Sequence, residues 1–306
     1  MTRHFLIDDD LSSAEVVHVV DEAVRLKKDR FGARALAGPQ SVAVIFEKQS
    51  TRTRVSFEVA ITELGGHAVI LDSAASQLGR GETIEDTARV LSRYVSAIVI
   101  RTFGHERIEA LAANASVPVV NALTDLVHPC QWLADLMTIR EHKGDAAGLT
   151  LGYVGDGNNV AHSLLLGGAM AGMHVRVAAP KGYQPLADIV KRANEIGSET
   201  GGSATVTDNA PAACKGADVV YTDVWASMGQ EAEAATRRTA FAGYTVDDQL
   251  VAAANADVMV LHCLPAHRGE EIAASVIDGP HSFVFDQAEN RLHAQKALLA
   301  FLLERT

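Results

Sequence analysis

Five places in this chain carry side chains that could bind an anion or act on an amine. Ser50-Thr51-Arg52-Thr53-Arg54 puts three hydroxyls and two guanidiniums within five positions. At the start of a helix, that group would add free backbone N–H groups and the positive end of the helix dipole. Together these grip a phosphate dianion, with Arg supplying forked charge-assisted bonds. The plainer reading is a Ser/Thr cap followed by solvated arginines, and the five residues alone do not separate the two.

Arg101 follows the apolar run Ala97 to Ile100. A lone Arg there is usually a surface residue, but this one would share a sheet edge with Arg52. In His128-Pro129-Cys130-Gln131, the His and the Gln can donate to a carbonyl or carbamoyl oxygen. The blander account is a Pro at the first helical position with a capping His. In Asp223-Val224-Trp225-Ala226-Ser227-Met228-Gly229, Asp223 could accept from a cationic amine or simply be a solvated loop acid. In His262-Cys263-Leu264-Pro265-Ala266-His267-Arg268, a Cys beside His and Arg could be a tuned thiol. That segment lacks a second Cys or a carboxylate partner, so no metal is expected.

All five places must be held by an alternation of strands and helices. Ser12 with Glu15 is a capping-box signal, followed by Val16, Val19, Val20, Ala23 and Val24 at helical spacing. Strands are expected at Ser41 to Phe46, His67 to Leu71, Ala97 to Ile100 and Val117 to Val120. Helices are expected at Thr53 to Leu64, Ile84 to Tyr94, Ile108 to Ala113 and about Pro129 to His142. Lys143 to Gly148 reads as a boundary, and the pattern then restarts. Strands follow at Leu149 to Val154, His174 to Ala178, Ala204 to Thr207, Val219 to Tyr221 and Val258 to Leu261. Helices follow at Asn159 to Ala171, Pro185 to Ile196 and Asn290 to Leu303. Asp223 to Thr245 reads as a long irregular loop, more often functional than not. The fold class is therefore α/β, with two doubly wound parallel-sheet domains in tandem. In such sheets ligands bind beyond the carboxyl ends of strands, where the five places fall.

The length, 306 residues, fits two domains, and 48% hydrophobic with 21% charged residues is ordinary for a globular chain. A net charge of −11 argues against a nucleic-acid partner and fits a self-repelling cytoplasmic protein. The apolar runs fall short of the ~18 residues a membrane span needs. Three aspartates follow Ile7 before a signal-peptide core could form. Cys130, Cys214 and Cys263 are odd in number and form no CxxC pair, so neither a disulfide framework nor a zinc finger is expected.

Gly152-Tyr153-Val154-Gly155-Asp156-Gly157-Asn158-Asn159-Val160 invites a rival reading as a dinucleotide turn. Val160 replaces the third glycine of G-x-G-x-x-G, and the next strand ends in Ala178-Ala179-Pro180 without an acid for a ribose. The turn reads better as one that presents Asn159 to a ligand.

Taken together, Ser-Thr-Arg-Thr-Arg, His-Pro-Cys-Gln, Asp-x-x-x-Ser-Met-Gly and His-Cys-Leu-Pro resemble the ornithine carbamoyltransferase family in order and separation, over essentially the whole chain. The resemblance implies a carbamoyl phosphate-binding domain (1–143), an ornithine-binding domain (144–287), and an active site between them. The C-terminal helix, about 288–304, is expected to pack back onto the first domain. Carbamoyl phosphate would be held by Ser50, Thr51, Arg52, Thr53, Gln77, Arg101, His128, Gln131, Cys263, Leu264 and Arg291. Ornithine would be held by Asn159, Asp223, Ser227 and Met228. The Leu264-Pro265 peptide is expected to be cis. The resemblance also implies a homotrimer, with Gln77 in a loop that enters the neighbouring subunit's site.

The implied reaction needs no metal and no organic cofactor. The ornithine side-chain amine attacks the carbamoyl carbon, a tetrahedral oxyanion forms, and phosphate leaves. Thr53, Arg101 and His128 would donate to the oxyanion, where losing one donor typically costs ~3–4 kcal/mol. Arg52 would stabilise the leaving phosphate. Asp223 and Cys263 would orient the amine and help it lose a proton, and which of them is the base stays open. Citrulline is the product, in arginine metabolism, with the biosynthetic direction favoured. Aspartate as acceptor would call for cations in the second domain, where the loop offers Asp223, Glu231 and Glu233. Putrescine would leave Asn159 and the Ser227-Met228 backbone without an α-amino-acid partner. N-acetylornithine is harder to separate. A nicotinamide-dependent oxidoreductase using the Gly155 turn, or a non-catalytic amino-acid-binding regulator, are the rivals from other classes.

Overall fold

The structure is a computed structural model and describes residues 2–72, 77–227 and 231–304. In chain order the elements begin α1 (Ser13–Lys28), β1 (Ser41–Phe46), α2 (Thr51–Glu63), β2 (His67–Asp72), α3 (Ile84–Leu91) and β3 (Ala97–Arg101). They continue with α4 (His105–Asn114), β4 (Val119–Leu123), α5 (Pro129–Lys143), β5 (Thr150–Val154), α6 (Asn159–Met170) and β6 (His174–Ala178). Then come α7 (Ala187–Thr200), β7 (Ser203–Thr207), α8 (Ala210–Cys214), β8 (Val219–Thr222), α9 (Ala234–Ala240) and α10 (Asp248–Ala253). The last are β9 (Met259–His262), α11 (Ala274–Ile277) and α12 (Val284–Glu304).

The chain forms two compact units, Met1–Met137 with Glu289–Thr306, and Thr138–Ala288. The division falls inside α5. The Lys143 to Gly148 stretch forms the turn after that helix, with Gly144 at φ 80° and its N–H bonded to the Arg140 carbonyl. That left-handed conformation is one glycine adopts at little cost.

Each unit is built on a parallel sheet, as the alternating pattern predicts. The first has strand order β2-β1-β3-β4 and the second β7-β6-β5-β8-β9. β3, β4 and β5 are buried along their whole length, which suits strands covered on both faces. β2, at the edge, is half-buried. α1 starts at the capping box: Ser12 accepts from the Glu15 amide, and Glu15 accepts from the Ser12 amide.

In the first sheet the winding reverses between β1 and β3, and in the second between β5 and β8. The crevice beyond the carboxyl ends at such a reversal is where an open α/β sheet binds ligands. Ser50 follows β1, and Arg101 ends β3. Gly155 to Asn158 follow β5, and Asp223 follows β8.

Two expectations need correction. Asp223 to Thr245 is not wholly irregular: a 3-10 turn at Glu231–Glu233 leads into α9. α9 reads Ala-Ala-Thr-Arg-Arg-Thr-Ala, and the side chain it buries is that of Arg237, so no apolar stripe betrays it. α12 starts at Val284 rather than Asn290, because its leucine stripe begins only at Leu292. α8, α10 and α11 lie outside the expected elements; at four to six residues, they are too short to display a helical period.

Candidate active site

In the first unit, the site begins at the N-terminus of α2. Ser50 is the cap: its Oγ accepts from the Thr53 amide at 3.3 Å and donates to Thr53 Oγ1 at 3.1 Å. Thr51 is exposed, Arg52 half-buried and Thr53 fully buried. The helix end therefore offers amides, two hydroxyls and a guanidinium on one edge, the combination an anion needs. Arg54 turns away to pair with Glu58 at 3.8 Å.

Arg291, on α12, joins this group from far along the chain. Its Nη2 donates to Thr53 Oγ1 and its Nη1 to Gln131 Oε1, each at 3.0 Å. Gln131 in turn donates to Asp135 Oδ1 at 2.7 Å. Arg101 is 6% exposed, so the plain reading of a surface arginine does not hold. Glu47 steadies that strand end: its amide donates to the Arg101 carbonyl at 2.9 Å, and its carboxylate holds Thr102 and Arg107. His128 is buried at the head of α5, where its carbonyl accepts from the Gln131 amide at 2.9 Å. Burial, with the positive fields of Arg291 and Arg101 added, holds its imidazole pKa well below the ordinary range. The ring is thus neutral near pH 7. Cys130, between these residues, is buried with its thiol pushed up to about 12, mainly by desolvation, and donates to the Asn121 carbonyl.

Gln77 is exposed, and its carbonyl accepts from Arg80 and Glu82 in its own short turn.

In the second unit, Asp223 is the centre. It is buried just beyond β8, and its Oδ1 accepts from Cys263 Sγ at 3.0 Å. Its Oδ2 accepts from Asn158 Nδ2 at 2.9 Å. Asn158 caps α6, with Oδ1 accepting from the Val160 and Ala161 amides. Asn159, singled out from the sequence, is the first helical residue and is half-buried. Asn158 was missed, although Asn directly before a helix is a cap signal. The preceding turn needs its glycines. Gly155 sits at φ 150°, and a Cβ on Gly157 would lie 2.2 Å from the Pro185 nitrogen. Ser227 is half-buried beyond Trp225, and Met228 lies outside the described residues.

Two buried networks frame Asp223. Arg237 Nη1 donates to Asp156 Oδ2 and to the Trp225 carbonyl, each at 2.8 Å, and its Nε to Glu233 at 3.0 Å. It also lies over the Tyr183 ring at 5.0 Å. The turn after β5 and the loop after β8 are thereby tied together. On the other flank, His262 Nδ1 accepts from the Leu264 amide at 2.9 Å, so its Nε2 carries the proton that faces Glu271 Oε1 at 3.2 Å. Burial opposes the Glu271 charge, but bonds from His262 and from the His267 amide outweigh it and hold its pKa low. This dyad fixes the turn bearing Cys263 and Leu264. Leu264 has φ 57°, and the Leu264-Pro265 peptide is cis, as expected. The bonds of Arg237 to Asp156 and of Cys263 to Asp223 were not legible locally, since those partners are supplied by other loops.

A carboxylate does stand beside Cys263 and His262, contrary to the sequence reading. The ligating atoms of Asp223, His262 and Cys263 lie within 4.8 Å of one another. All three serve the hydrogen bonds just described. The arrangement suits holding a cationic or neutral amine beside a buried carboxylate, while the first unit suits holding a phosphate and a carbonyl oxygen.

The family model for the aspartate/ornithine carbamoyltransferase carbamoyl-P binding domain matches residues 3–141, and that for the Asp/Orn binding domain matches residues 147–302. The ornithine carbamoyltransferase of Acidothermus cellulolyticus is 69% identical over 304 residues, covering 99% of this chain and 97% of the relative. That of Parafrankia sp. is 62% identical over 307 residues, covering 99% and 97%. Among solved structures, the ornithine carbamoyltransferase of Pyrococcus furiosus superposes with a TM-score of 0.95 at 52% identity, covering 99% of this chain and 98% of that one.

Proposed function

Because the chain belongs to the aspartate/ornithine carbamoyltransferase family, we propose that it transfers the carbamoyl group of carbamoyl phosphate to the side-chain amine of L-ornithine. A nitrogen–carbon bond forms, the carbon–oxygen bond to phosphate breaks, and citrulline and phosphate are released.

The observation that carries the choice of acceptor is the buried Asp223 carboxylate, held by Cys263 and Asn158. A buried acid aimed at an amine rejects analogues lacking that amine, typically by ~10⁴-fold or more. An aspartate acceptor would need spare cations in this unit, and the nearby arginines are committed. Arg237 serves Asp156 and Glu233, and Arg238 pairs with Glu270 at 2.8 Å.

On the phosphate side, Ser50, Thr51, Arg52, Thr53 and Arg291 hold the phosphoryl oxygens, and Arg52 stabilises the charge that grows as phosphate leaves. Arg101 and the neutral His128 donate to the carbamoyl oxygen as it becomes an oxyanion, an interaction stronger in the transition state than before it. Gln131 acts by orienting Arg291. On the amine side, Asp223 orients the nucleophile, Asn159 and Ser227 hold the α-amino-acid end, and Cys263 and Leu264 border the reacting group. A free amine with pKa ~10 is mostly protonated at neutral pH, so a proton must leave before attack. Asp223 receives that proton, which ends on the departing phosphate.

We further propose a cytoplasmic homotrimer serving arginine formation, with the Gln77 segment completing a neighbour's site. Among the described residues, no helix is long and apolar enough to cross a membrane. The test of the reaction is product stoichiometry. Citrulline and phosphate should appear one for one from carbamoyl phosphate and ornithine. Phosphate release without citrulline would reduce the activity to hydrolysis and refute the transfer.

A further inference from the structure

α12 carries a buried polar row, Asn290, Arg291, Gln295 and Lys296, each 4% exposed or less. Burying so many polar groups in one helix is costly unless each is satisfied, and then it fixes register strongly. Three of them face α2. Arg291 reaches Thr53, as described. Gln295, with its amide turned to satisfy both neighbours, donates to Ser56 Oγ at 2.6 Å and accepts from Arg291 Nε and Nη2 at 3.2 and 3.1 Å. Lys296 Nζ donates to Glu63 Oε2 and to the Arg30 carbonyl, each at 2.8 Å. Glu63 also holds the Arg30 guanidinium. Asn290, the fourth, accepts from Lys27 Nζ of α1 at 2.8 Å.

The seam therefore runs the length of α2, from the cap turn at Thr53, through Ser56, to Glu63 at the helix end. Apolar packing alone would tolerate a slide of α12 along α2. A buried lysine locked to a buried glutamate would not, because a slide leaves both charges unpaired. A slide of one residue is 1.5 Å, enough to carry the Arg291 guanidinium out of reach of Thr53.

We propose that Lys296 is a positioning residue for the phosphate half of the site: by locking α12 to Glu63, it sets the Arg291 guanidinium on Thr53 and Gln131. Lys296 itself touches no substrate. The inference rests on the phosphate-side assignment of Arg291 and Thr53 made above.

The test uses the full chain and two variants, titrated calorimetrically with inorganic phosphate and with carbamoyl phosphate. Lys296→Met keeps the side chain's length and leaves Glu63 paired with Arg30. The double variant Lys296→Met/Glu63→Gln removes both charges, so that no buried acid loses a partner. In both, affinity for phosphate and carbamoyl phosphate should fall by at least about tenfold, with KM for ornithine unchanged. The double variant should recover melting temperature without recovering affinity, a split that a merely structural role would not produce. Lys296→Arg, which keeps the charge, should restore part of the affinity. Wild-type phosphate affinity in either folded variant would overturn the proposal, whatever happens to stability. A wild-type chain that binds phosphate yet makes no citrulline would fail the proposed function, while the same titrations still decide the role of Lys296.

Discussion

Cys263 gives its thiol hydrogen to Asp223, with Sγ 3.0 Å from Oδ1, across forty positions of sequence. The bond joins the ends of two adjacent strands, β8 and β9. It leaves the carboxylate as the acceptor on that edge and the thiol as its donor, which supports the proposal that the acid rather than the sulfur receives the amine proton. Asp223→Asn should therefore lower kcat by at least about 100-fold and raise KM for ornithine, since the amide gives up the charge that orients the amine. Affinity for carbamoyl phosphate should stay at the wild-type value. An unchanged ornithine KM in steady-state kinetics would remove Asp223 from the amine side.

Arg52→Ala should abolish measurable carbamoyl phosphate binding while leaving the fold intact. Arg52 is half-buried at the N-terminus of α2, and no hydrophobic core depends on it. Calorimetric titration and circular dichroism of the same sample separate the two outcomes. Tight binding by a folded variant would refute the phosphate assignment.

Gly157→Ala should act at a distance from any charge. The new methyl would meet the Pro185 nitrogen at 2.2 Å and the Gln184 carbonyl carbon at 2.4 Å, both backbone atoms. The turn must move, and Asn158 with it, so Asp223 loses the donor to its Oδ2. Ornithine KM should rise by about tenfold or more, with carbamoyl phosphate affinity unaffected. Equal loss of both substrates would show a general collapse instead of a displaced turn.

Asp156 gives the second unit a signature in acid. Burial pushes its carboxyl up to about 6, against the pull of Arg237. An unfolded carboxyl titrates near ~4, so between pH 4 and 6 the native state holds more proton than the unfolded one. The contribution of this group to stability is then full below pH ~4 and is lost as pH rises through 6. Asp156→Asn cannot titrate. Wild-type stability relative to that variant should fall steadily from pH 4 to pH 6 in urea titrations. A difference that stays flat or grows with pH would contradict the raised value.

How much of this was legible in sequence depends on how far apart the partners lie. Ser50 and Thr53 are neighbours in one turn, so their cap geometry follows from the five-residue motif. Strand alternation placed Arg101 and Asp223 at strand ends, but could not say that both are buried. Asn158 carries a local signal, since Asn before a helix is a cap, but the Gly155-x-Gly157 pattern around it mimics a dinucleotide turn and masks the helix start. Arg237 with Glu233 four residues before it reads as an ordinary surface pair on a polar helix; its burial and its bond to Asp156, 81 positions away, left no local trace. Lys296 was hidden for the same reason, inside a helix recognised only by its leucines.

The most direct test of the account is the acceptor spectrum of the wild-type chain. Carbamoyl phosphate would be offered with ornithine, N-acetylornithine, putrescine or aspartate in parallel assays without added metal or nucleotide, and the carbamoylated product quantified. Citrulline should form from ornithine; aspartate, which lacks the side-chain amine, should be at least about 10⁴-fold poorer in kcat/KM, and putrescine should be poorer because it leaves Asn159 and Ser227 without an α-amino-acid partner. Comparable turnover with aspartate would contradict the role given to Asp223, comparable turnover with putrescine would contradict that given to Asn159 and Ser227, and no turnover with any acceptor would contradict the transfer itself.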